Sequence, residues 1–155
     1  MKLDIGCGKA SKKVQDGYTG VDIYDYSGVY AKGRFIQADL FNEVPFDDSS
    51  IEEVHASHFL EHIPQDKVIW FFNEVYRILM PDGIFDIYVP PTSGRGAFCD
   101  PTHVSFWNDL SFRYYDMEWD RELSVSYGIE CNFKCIKKEQ PSENKLRVIL
   151  RKAEI

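Results

Sequence analysis

The sequence has few of the features that mark membrane, secreted or disulfide-bonded proteins. No apolar run approaches the roughly 18 residues of a membrane helix, and residues 1–6 lack the long apolar core of a signal peptide. There are only 4 cysteines, and the closest pair, Cys131 and Cys135, has a CxxxC rather than a CxxC spacing. We therefore expect a cytoplasmic protein with reduced thiols and no membrane partner.

Basic residues are also scarce. The 18 Lys and Arg are outnumbered by 25 Asp and Glu, which gives a net charge of −7. The longest basic run is the pair Lys12 and Lys13, so the chain lacks the basic footprint on which non-specific nucleic-acid binding depends, and we expect no nucleic-acid partner. The length of 155 residues predicts a single domain over residues 1–155, with no separate substrate domain.

Short apolar runs alternate with longer mixed segments, which is the pattern of an α/β sheet. Five strands are predicted in the first 90 residues, at 1–5, 18–23, 34–39, 51–56 and 83–90. Two further β-type runs, at 133–139 and 145–152, flank the loop 140–144 and predict a C-terminal hairpin. Residues 9–18 are too short and polar for a full helix, so a loop or a single turn is expected there.

One amphipathic helix is predicted between the fourth and fifth strands. Its apolar residues are spaced i, i+3, i+4, i+7 and i+11 on a single face: Val68, Phe71, Phe72, Val75 and Leu79. Pro64 suits its first turn, and Pro81 is expected to end it. Residues 91–128 have no clean period and hold an aromatic cluster. We predict that they form a lid or substrate insert with a short helix near 108–115, although the aromatics could equally be plain core.

The strongest local signal for chemistry is residues 3–8, Leu-Asp-Ile-Gly-Cys-Gly, which run from the first strand into a Gly-x-Gly turn. Glycines there let the backbone turn tightly and approach a ligand closely, although a plain turn explains the pair equally well. The G-x-G-x-x-G spacing is not completed, because residue 11 is Ser. The turn therefore does not favour a nicotinamide dinucleotide site.

Acidic residues end the next two strands. Asp22 closes the second predicted strand and Asp39 closes the third. The ends of parallel strands share one edge of the sheet, where ligands bind, and there Asp22 could accept both hydroxyls of a ribose. Asp39 could accept from the exocyclic amine of an adenine. Each acid alone is consistent with a solvated loop, but the two acids together with Asp4 favour a nucleoside-binding edge.

These residues, in this order, resemble class I S-adenosylmethionine-dependent methyltransferases. Residues 3–8 resemble the first motif of that family, residues 20–23 its ribose-binding strand end, and residues 37–40 its adenine-contacting acid. Residues 53–63 are similar to its fourth motif, and residues 74–83 to the junction between its helix and fifth strand. The resemblance departs at Ala10, which replaces the usual third glycine. It also departs in the helices normally placed before the first strand and after the first motif, which are absent or vestigial.

The resemblance implies a Rossmann-like, mostly parallel seven-stranded sheet with a C-terminal antiparallel hairpin, in three layers but with few helices near the N-terminus. It implies S-adenosylmethionine as cofactor, bound by the glycine motif and the strand ends: Asp4, Gly6, Cys7, Gly8, Asp22, Ile23, Asp39, Leu40, Ser57, His58 and Phe59. The implied activity is methyl transfer to a small-molecule acceptor. The alternative is a non-catalytic S-adenosylmethionine-binding protein that acts through a partner. A thin helical cover would also be consistent with a homodimer.

Residues after the fifth strand could act on the acceptor. His103 could serve as a general base, because imidazole titrates near neutrality, and Asp100 could orient it. Arg95 could bind an anionic group of the acceptor. The alternative for each of the three is a loop whose polar side chains only tie it to the core.

Residues 58–62, His-Phe-Leu-Glu-His, fit the H-x-x-E-H motif of zinc peptidases, and His55 adds a nearby imidazole. Such a site needs both histidines on one helical face. Pro64 instead predicts a helix that begins at about residue 63, which leaves the motif in a loop. We therefore predict no metal site, and we expect Glu61 and His62 to be chiefly structural.

Overall fold

The computed structural model describes residues 1–154, and its sheet has seven strands in the order β3-β2-β1-β4-β5-β7-β6. The strands are β1 Lys2–Ile5, β2 Thr19–Asp22, β3 Phe35–Gln37, β4 Ile51–Ser57, β5 Leu79–Val89, β6 Phe133–Ser142 and β7 Lys145–Lys152. Strands β1 to β5 pair in parallel, whereas β7 runs antiparallel to both β5 and β6. The predicted Rossmann-like, mostly parallel sheet with a C-terminal antiparallel hairpin is confirmed.

The helices are short, with one exception. Helix α2, Val68–Ile78, is the amphipathic helix predicted from the sequence, and it buries the predicted apolar face. The other helices are α1 Lys12–Gln15, α3 Gly96–Cys99 and α4 Arg121–Ser126, with 3-10 helices at Leu60–His62, Gln65–Lys67 and Ser111–Tyr115. Helix α1 is the single turn expected after the first motif. Within residues 1–154, no helix has the length and apolar character needed to cross a lipid bilayer.

Helix α2 ends earlier than the predicted stop at Pro81. Leu79 already has an extended backbone, with φ −67° and ψ 138°, and it pairs with Ile51 at the start of β4. Strand β5 therefore begins at residue 79 rather than 83, and Pro81 lies inside it. The physical reason is that Leu79 is fully buried in the sheet, which outweighs its match to the helical period.

One face of the sheet is apolar and packs against α2. Side chains alternate between the two faces of a strand, and the residues on this face are at most 1% exposed: Leu3, Val54, Phe85, Val148 and Leu150. The aromatic rings of α2 lie over this face, with Phe72 at 5.6 Å from Phe85 between ring centroids. This face is the core of the protein.

The segment predicted as a lid or insert contributes to the same core. Trp107 and Tyr115 are buried, and the Phe72 ring stacks on both, with ring centroids 5.7 Å and 3.9 Å away. Phe98 and Phe106 are exposed and stack on each other. The alternative interpretation of these aromatics, as plain core, therefore holds for Trp107 and Tyr115, while Phe98 and Phe106 lie outside that core.

The opposite face of the sheet is polar along its centre. Asp4 of β1, His55 of β4 and Asp86 of β5 occupy paired positions in neighbouring strands. Arg147 of β7 completes the row by hydrogen bonding to Asp86. Helix α1 lies on this side against β2, so the third layer of the fold is thin. The polar row begins directly behind the turn that follows β1.

Candidate functional site

The turn after β1 needs glycine where the sequence has it. Gly6 and Gly8 have φ angles of 64° and 61°, in the left-handed region. A Cβ atom on Gly6 would lie 2.6 Å from Cδ2 of Phe59, so residue 6 also lets this turn approach the end of β4. Ala10 is not among the residues with positive φ. Alanine therefore replaces the usual third glycine without backbone strain.

Two residues that the sequence prediction missed hold this turn in place. The Tyr30 hydroxyl donates to the Gly8 carbonyl oxygen at 2.6 Å and accepts from the Ser11 N–H at 3.1 Å. The Ser11 hydroxyl donates to the Asp4 carboxylate and also caps the first turn of α1. Burial raises the pKa of Asp4 despite the hydrogen bond from Ser11. These contacts fix the loop before any ligand binds.

A cavity of about 510 Å³ opens at the ends of β1 to β4, which is within the range of roughly 300–1,000 Å³ for ligand pockets. Seven of the predicted cofactor residues line it: Gly6, Asp22, Ile23, Asp39, Leu40, His58 and Phe59. The other seven lining residues were not among the predicted cofactor residues: Val21, Tyr24, Tyr26, Ala38, Phe41, His62 and Thr102. The wall is thus mostly apolar and aromatic, with a carboxylate at two points.

Backbone N–H groups orient the two strand-end acids. Asp22 accepts from the Gly8 N–H through Oδ2 at 3.0 Å and from the Tyr24 N–H through Oδ1 at 3.1 Å. Asp39 accepts from the Phe41 N–H through Oδ1 at 3.1 Å. An ionised carboxylate has about four acceptor positions, so both acids keep lone pairs for hydroxyl or amine groups of a ligand.

A second cavity, of about 420 Å³, meets the first at Gly6. It is lined by three more of the predicted cofactor residues: Asp4, Cys7 and Ser57. Its outer wall is basic, which the sequence prediction missed: Lys12, Lys13 and Lys145. Burial and the carboxylates of Asp22 and Asp4 raise the pKa of Cys7 to about 12, so this thiol stays protonated at neutral pH. Gly8 lines neither cavity. Its contribution is the N–H that donates a hydrogen bond to the Asp22 carboxylate.

The end of β4 has an unusual backbone conformation. His58 has a φ of 54°, which is uncommon for a residue with a side chain. Its N–H donates to the Tyr88 carbonyl oxygen at 2.9 Å, and the next ring, Phe59, packs 5.5 Å from Phe41 between centroids. This turn places Ser57 in the lining of the second cavity and His58 and Phe59 in that of the first.

The predicted acceptor residues lie after β5, but they are not arranged as predicted. His103 Nε2 is 3.8 Å from Asp100 Oδ2, which is beyond hydrogen-bonding distance. His103 Nδ1 lies 3.0 Å from the Ala97 carbonyl oxygen, so Ala97 rather than Asp100 orients the ring. Arg95 is exposed on the loop before α3 and lines neither cavity.

Glu61 and His62, expected to be chiefly structural, also lie at this edge. Glu61 is buried, and its Oε1 atom is 3.2 Å from His58 Nδ1. His62 and Thr102 both line the first cavity, and His62 Nδ1 lies 3.2 Å from the Thr102 carbonyl oxygen. The H-x-x-E-H residues fall in the turn and short 3-10 helix after β4. This position confirms that the motif is not on the long helix that a peptidase site requires.

Residues 3–87, more than half of the chain, match a family described as a methyltransferase domain. The chain belongs to this family. It carries a methyltransferase domain, as the resemblance in the sequence implied, and it shares its fold with S-adenosylmethionine-dependent methyltransferases of known structure. Membership of the family favours an enzyme over the alternative of a non-catalytic binding protein.

Curated relatives of the methyltransferase include two fungal sterol 24-C-methyltransferases. The protein from Gibberella zeae is 33% identical over 103 residues, which cover 56% of this chain and 26% of the relative. The protein from Neurospora crassa is 30% identical over 103 residues, with the same coverage of 56% and 26%. The chain therefore spans about a quarter of the length of the curated relatives it matches.

Solved structures share the fold of the methyltransferase over nearly its whole length. An S-adenosylmethionine-dependent methyltransferase from Archaeoglobus fulgidus matches with a TM-score of 0.67 and 16% identity, covering 97% of this chain and 85% of that one. The 1,6-didemethyltoxoflavin-N1-methyltransferase of Burkholderia thailandensis, solved with bound 1,6-didemethyltoxoflavin and S-adenosylhomocysteine, matches with a TM-score of 0.69 and 15% identity. That match covers 99% of this chain and 71% of the other. Sequence identities this low show that the fold is shared, and no more than that.

Proposed function

We propose that this methyltransferase transfers a methyl group to a small, polar acceptor, with its cofactor bound across the two cavities that meet at Gly6. The single observation that supports this most strongly is that the linings of the two cavities suit the two halves of the cofactor. The first cavity combines aromatic walls with Asp22 and Asp39, which suits an adenosine. The second carries lysines beside the glycine turn, which suits the amino-acid end of the cofactor with its carboxylate.

The roles of the residues follow from their chemistry. Asp22 accepts from the ribose hydroxyls and Asp39 from the exocyclic adenine amine, while Ile23 and Leu40 provide apolar contacts to the base. Asp4 and the backbone of residues 6–8 border the methionine end, where Lys145 is placed to pair with a carboxylate. When bound, the cofactor supplies the methyl group, and the protein contributes positioning and exclusion of water.

The acceptor is proposed to be small and polar because of three residues that line the first cavity. These are His58, His62 and Thr102, and each has a side chain with hydrogen-bonding atoms. The curated relatives are named for sterol methylation, but a sterol would need a wide apolar surface that these three residues do not provide. His103 as general base and Arg95 as an acceptor contact remain predictions.

Calorimetric titration with S-adenosylhomocysteine tests the cofactor site. Asp22→Ala removes hydrogen bonds to a charged acceptor, each worth about 1.5–3 kcal/mol, so we expect affinity to fall by roughly tenfold to a hundredfold. The matched control is Asp25→Ala, because Asp25 is an exposed acid three residues away that lines neither cavity. Equal affinity of Asp22→Ala and the unmodified protein would contradict the proposed ribose contact.

The proposed carboxylate contact in the second cavity is tested by comparing two ligands. Lys145→Ala should weaken S-adenosylhomocysteine, which carries the carboxylate, and leave the affinity for 5′-methylthioadenosine, which lacks it, unchanged. Loss of both affinities to the same extent would place Lys145 outside the proposed carboxylate contact.

Transfer of a labelled methyl group to any member of a panel of small hydroxylated or aminated molecules would support the activity. Tight S-adenosylhomocysteine binding without transfer to any of them would favour the non-catalytic alternative.

A further inference from the structure

We propose that Glu61, His62 and His103 bind one divalent transition-metal ion at the acceptor end of the first cavity. Each of the three residues offers a ligand atom, and these atoms lie within 4.8 Å of one another. The residues come from two segments, the 3-10 helix Leu60–His62 and the loop before Trp107, and His62 and His103 are 41 positions apart in the sequence. The proposal contradicts the prediction, made from the sequence, that the chain has no metal site.

Glu61 is the first reason to infer an ion. The residue is 1% exposed, and among the described residues its Oε2 atom has no hydrogen-bond partner. Its other oxygen, Oε1, lies 3.2 Å from His58 Nδ1 and 4.0 Å from His103 Nε2. A buried carboxylate oxygen without a partner is costly. A cation beside it would satisfy that oxygen.

The orientation of the two histidines is the second reason. His62 Nδ1 lies 3.2 Å from the Thr102 carbonyl oxygen, and His103 Nδ1 lies 3.0 Å from the Ala97 carbonyl oxygen. His62 Nδ1 is also 3.2 Å from the Thr102 hydroxyl, whose own proton is donated to Asp100. Because the carbonyl oxygens can only accept, we infer that each ring carries its proton on Nδ1 and presents a lone pair on Nε2. Metal-binding histidines are usually held in this way, with the second ring nitrogen donating to a carbonyl or carboxylate.

The third reason is that the two segments are locked together before any ion binds. The Glu61 carbonyl oxygen accepts from the N–H groups of Val104 and Ser105 at 2.9 Å and 3.1 Å. The Ser105 hydroxyl donates to the Leu60 carbonyl oxygen at 2.7 Å and accepts from Trp107 Nε1 at 3.0 Å. These bonds fix His103 opposite Glu61, so ion binding would not have to order a loop.

The donor set selects the class of ion. Two imidazoles and one carboxylate are typical of Zn²⁺ and Fe²⁺ sites that keep open coordination positions, whereas Mg²⁺ and Ca²⁺ prefer oxygen ligands. Asp100 Oδ2 lies 3.8 Å from His103 Nε2, which makes this carboxylate the candidate for a fourth ligand. Because His62 lines the first cavity, an open position on the ion would face the acceptor.

The role of the ion rests on the proposed function. A bound divalent ion lowers the pKa of a hydroxyl group that contacts it, so it would help an acceptor hydroxyl lose its proton to solvent. The acceptor oxygen then forms its bond to the methyl carbon, while the sulfur–methyl bond breaks with its electron pair left on sulfur. In this assignment His103 is a ligand, not the general base predicted from the sequence.

Titration of the full-length, chelator-treated protein with Co²⁺ tests the site, because Co²⁺ bound by imidazole and carboxylate gives a visible absorption band. We expect one Co²⁺ per chain, displaced by Zn²⁺. His62→Ala, His103→Ala and Glu61→Gln should each lower Co²⁺ affinity by at least a hundredfold. The control is Cys99→Ser, which removes an exposed thiol near the site and should leave both the affinity and the absorption band unchanged.

A parallel titration with S-adenosylhomocysteine separates this proposal from the proposed function. His103→Ala, whose side chain lines neither cavity, should retain the circular dichroism spectrum and the S-adenosylhomocysteine affinity of the unmodified protein, which shows that it folds. The metal site would be overturned if the unmodified protein did not bind Co²⁺, or if all three variants bound it as tightly as the unmodified protein. Either result would leave the proposed cofactor site unaffected. Failure to bind S-adenosylhomocysteine with Co²⁺ binding intact would overturn the proposed function and leave the metal site.

Discussion

Arg147 binds Asp86 through two hydrogen bonds between neighbouring strands, Nε to Oδ1 at 2.9 Å and Nη2 to Oδ2 at 3.1 Å. His55 lies on the other side of the carboxylate, with Nδ1 3.3 Å from Oδ2. Burial opposes ionisation of Asp86, but the hydrogen bonds from His55 and Arg147 lower its pKa to about 2. The centre of the polar face is therefore a charged carboxylate held on two sides.

We predict that Asp86 makes the stability of the protein depend on acid pH. Because its pKa is lower in the folded state than the ordinary 3.8, its contribution is complete above about pH 4 and is lost as the pH falls towards 2. The shift corresponds to about 2 kcal/mol. Urea unfolding at several pH values between 2.5 and 6 should show this loss in the unmodified protein and a shallower loss in Asp86→Asn.

The difference between these two proteins isolates Asp86, because every other acid is common to both, including Asp4 with its raised pKa. Asp82→Asn, at an exposed acid of the same strand, is the control and should retain the full pH dependence. Parallel curves for Asp86→Asn and the unmodified protein would show that the carboxylate is not responsible.

Gly6→Ala should disrupt the cofactor site. The new Cβ would lie 2.6 Å from the Phe59 ring, at a φ of 64° that alanine rarely adopts. We expect the affinity for S-adenosylhomocysteine, measured by calorimetry, to fall at least tenfold. Gly28→Ala is the control, because a Cβ there meets nothing within 4 Å and its φ is not positive. Normal affinity in Gly6→Ala would mean that the turn relaxes without affecting the ligand.

Phe72→Ala should be among the most destabilising single changes. The ring is fully buried and contacts Trp107, Tyr115 and Phe85, and removal of a buried phenylalanine typically costs about 3–5 kcal/mol. Urea unfolding measures this loss. Phe98→Ala removes a ring that is 62% exposed and should cost less than about 1 kcal/mol. Equal effects of the two substitutions would mean that the aromatic cluster is not a packed core.

The cysteines should react with iodoacetamide in a definite order. Cys99 is exposed, whereas burial raises the pKa of Cys131 to about 12, and burial with two neighbouring carboxylates does the same for Cys7. Only the thiolate is an effective nucleophile, so at pH 8 Cys99 should be modified first. Mass spectrometry of timed digests would show this order. Modification of Cys7 as fast as Cys99 would contradict the protonated thiol.

The sequence predicted the sheet, and several residues that line the cavities at its edge, because their signals are local. Each signal comes from a few adjacent residues. Gly6 belongs to a glycine turn after an apolar run, Asp22 and Asp39 each end a strand, and the helix shows one apolar face. The structure places these residues around adjoining cavities. The boundaries were less predictable, because the pairing of Leu79 with Ile51 depends on residues far apart in the chain.

The missed residues act through long-range contacts that no spacing indicates. Tyr30 reaches the turn after β1 across 22 positions, and His62 reaches Thr102 across 40. The pair Lys12 and Lys13 was visible only as a short basic run. The burial of Glu61 could not be inferred either, because a carboxylate in a loop is ordinarily solvated. Sequence patterns thus identified the strand-end residues that line the cavities better than the residues brought there by long-range contacts.

The polar row on the sheet has a consequence for how this fold can change. A face that already carries Asp4, His55, Asp86 and Arg147 is compatible with water, so it does not depend on an apolar helical layer for cover. At its β1 end the same row reaches the second cavity, which Asp4 and His55 line together with Lys12 and Lys13 of α1. The thin outer layer on this side therefore serves the site as well as the sheet, so a change in α1 would alter both.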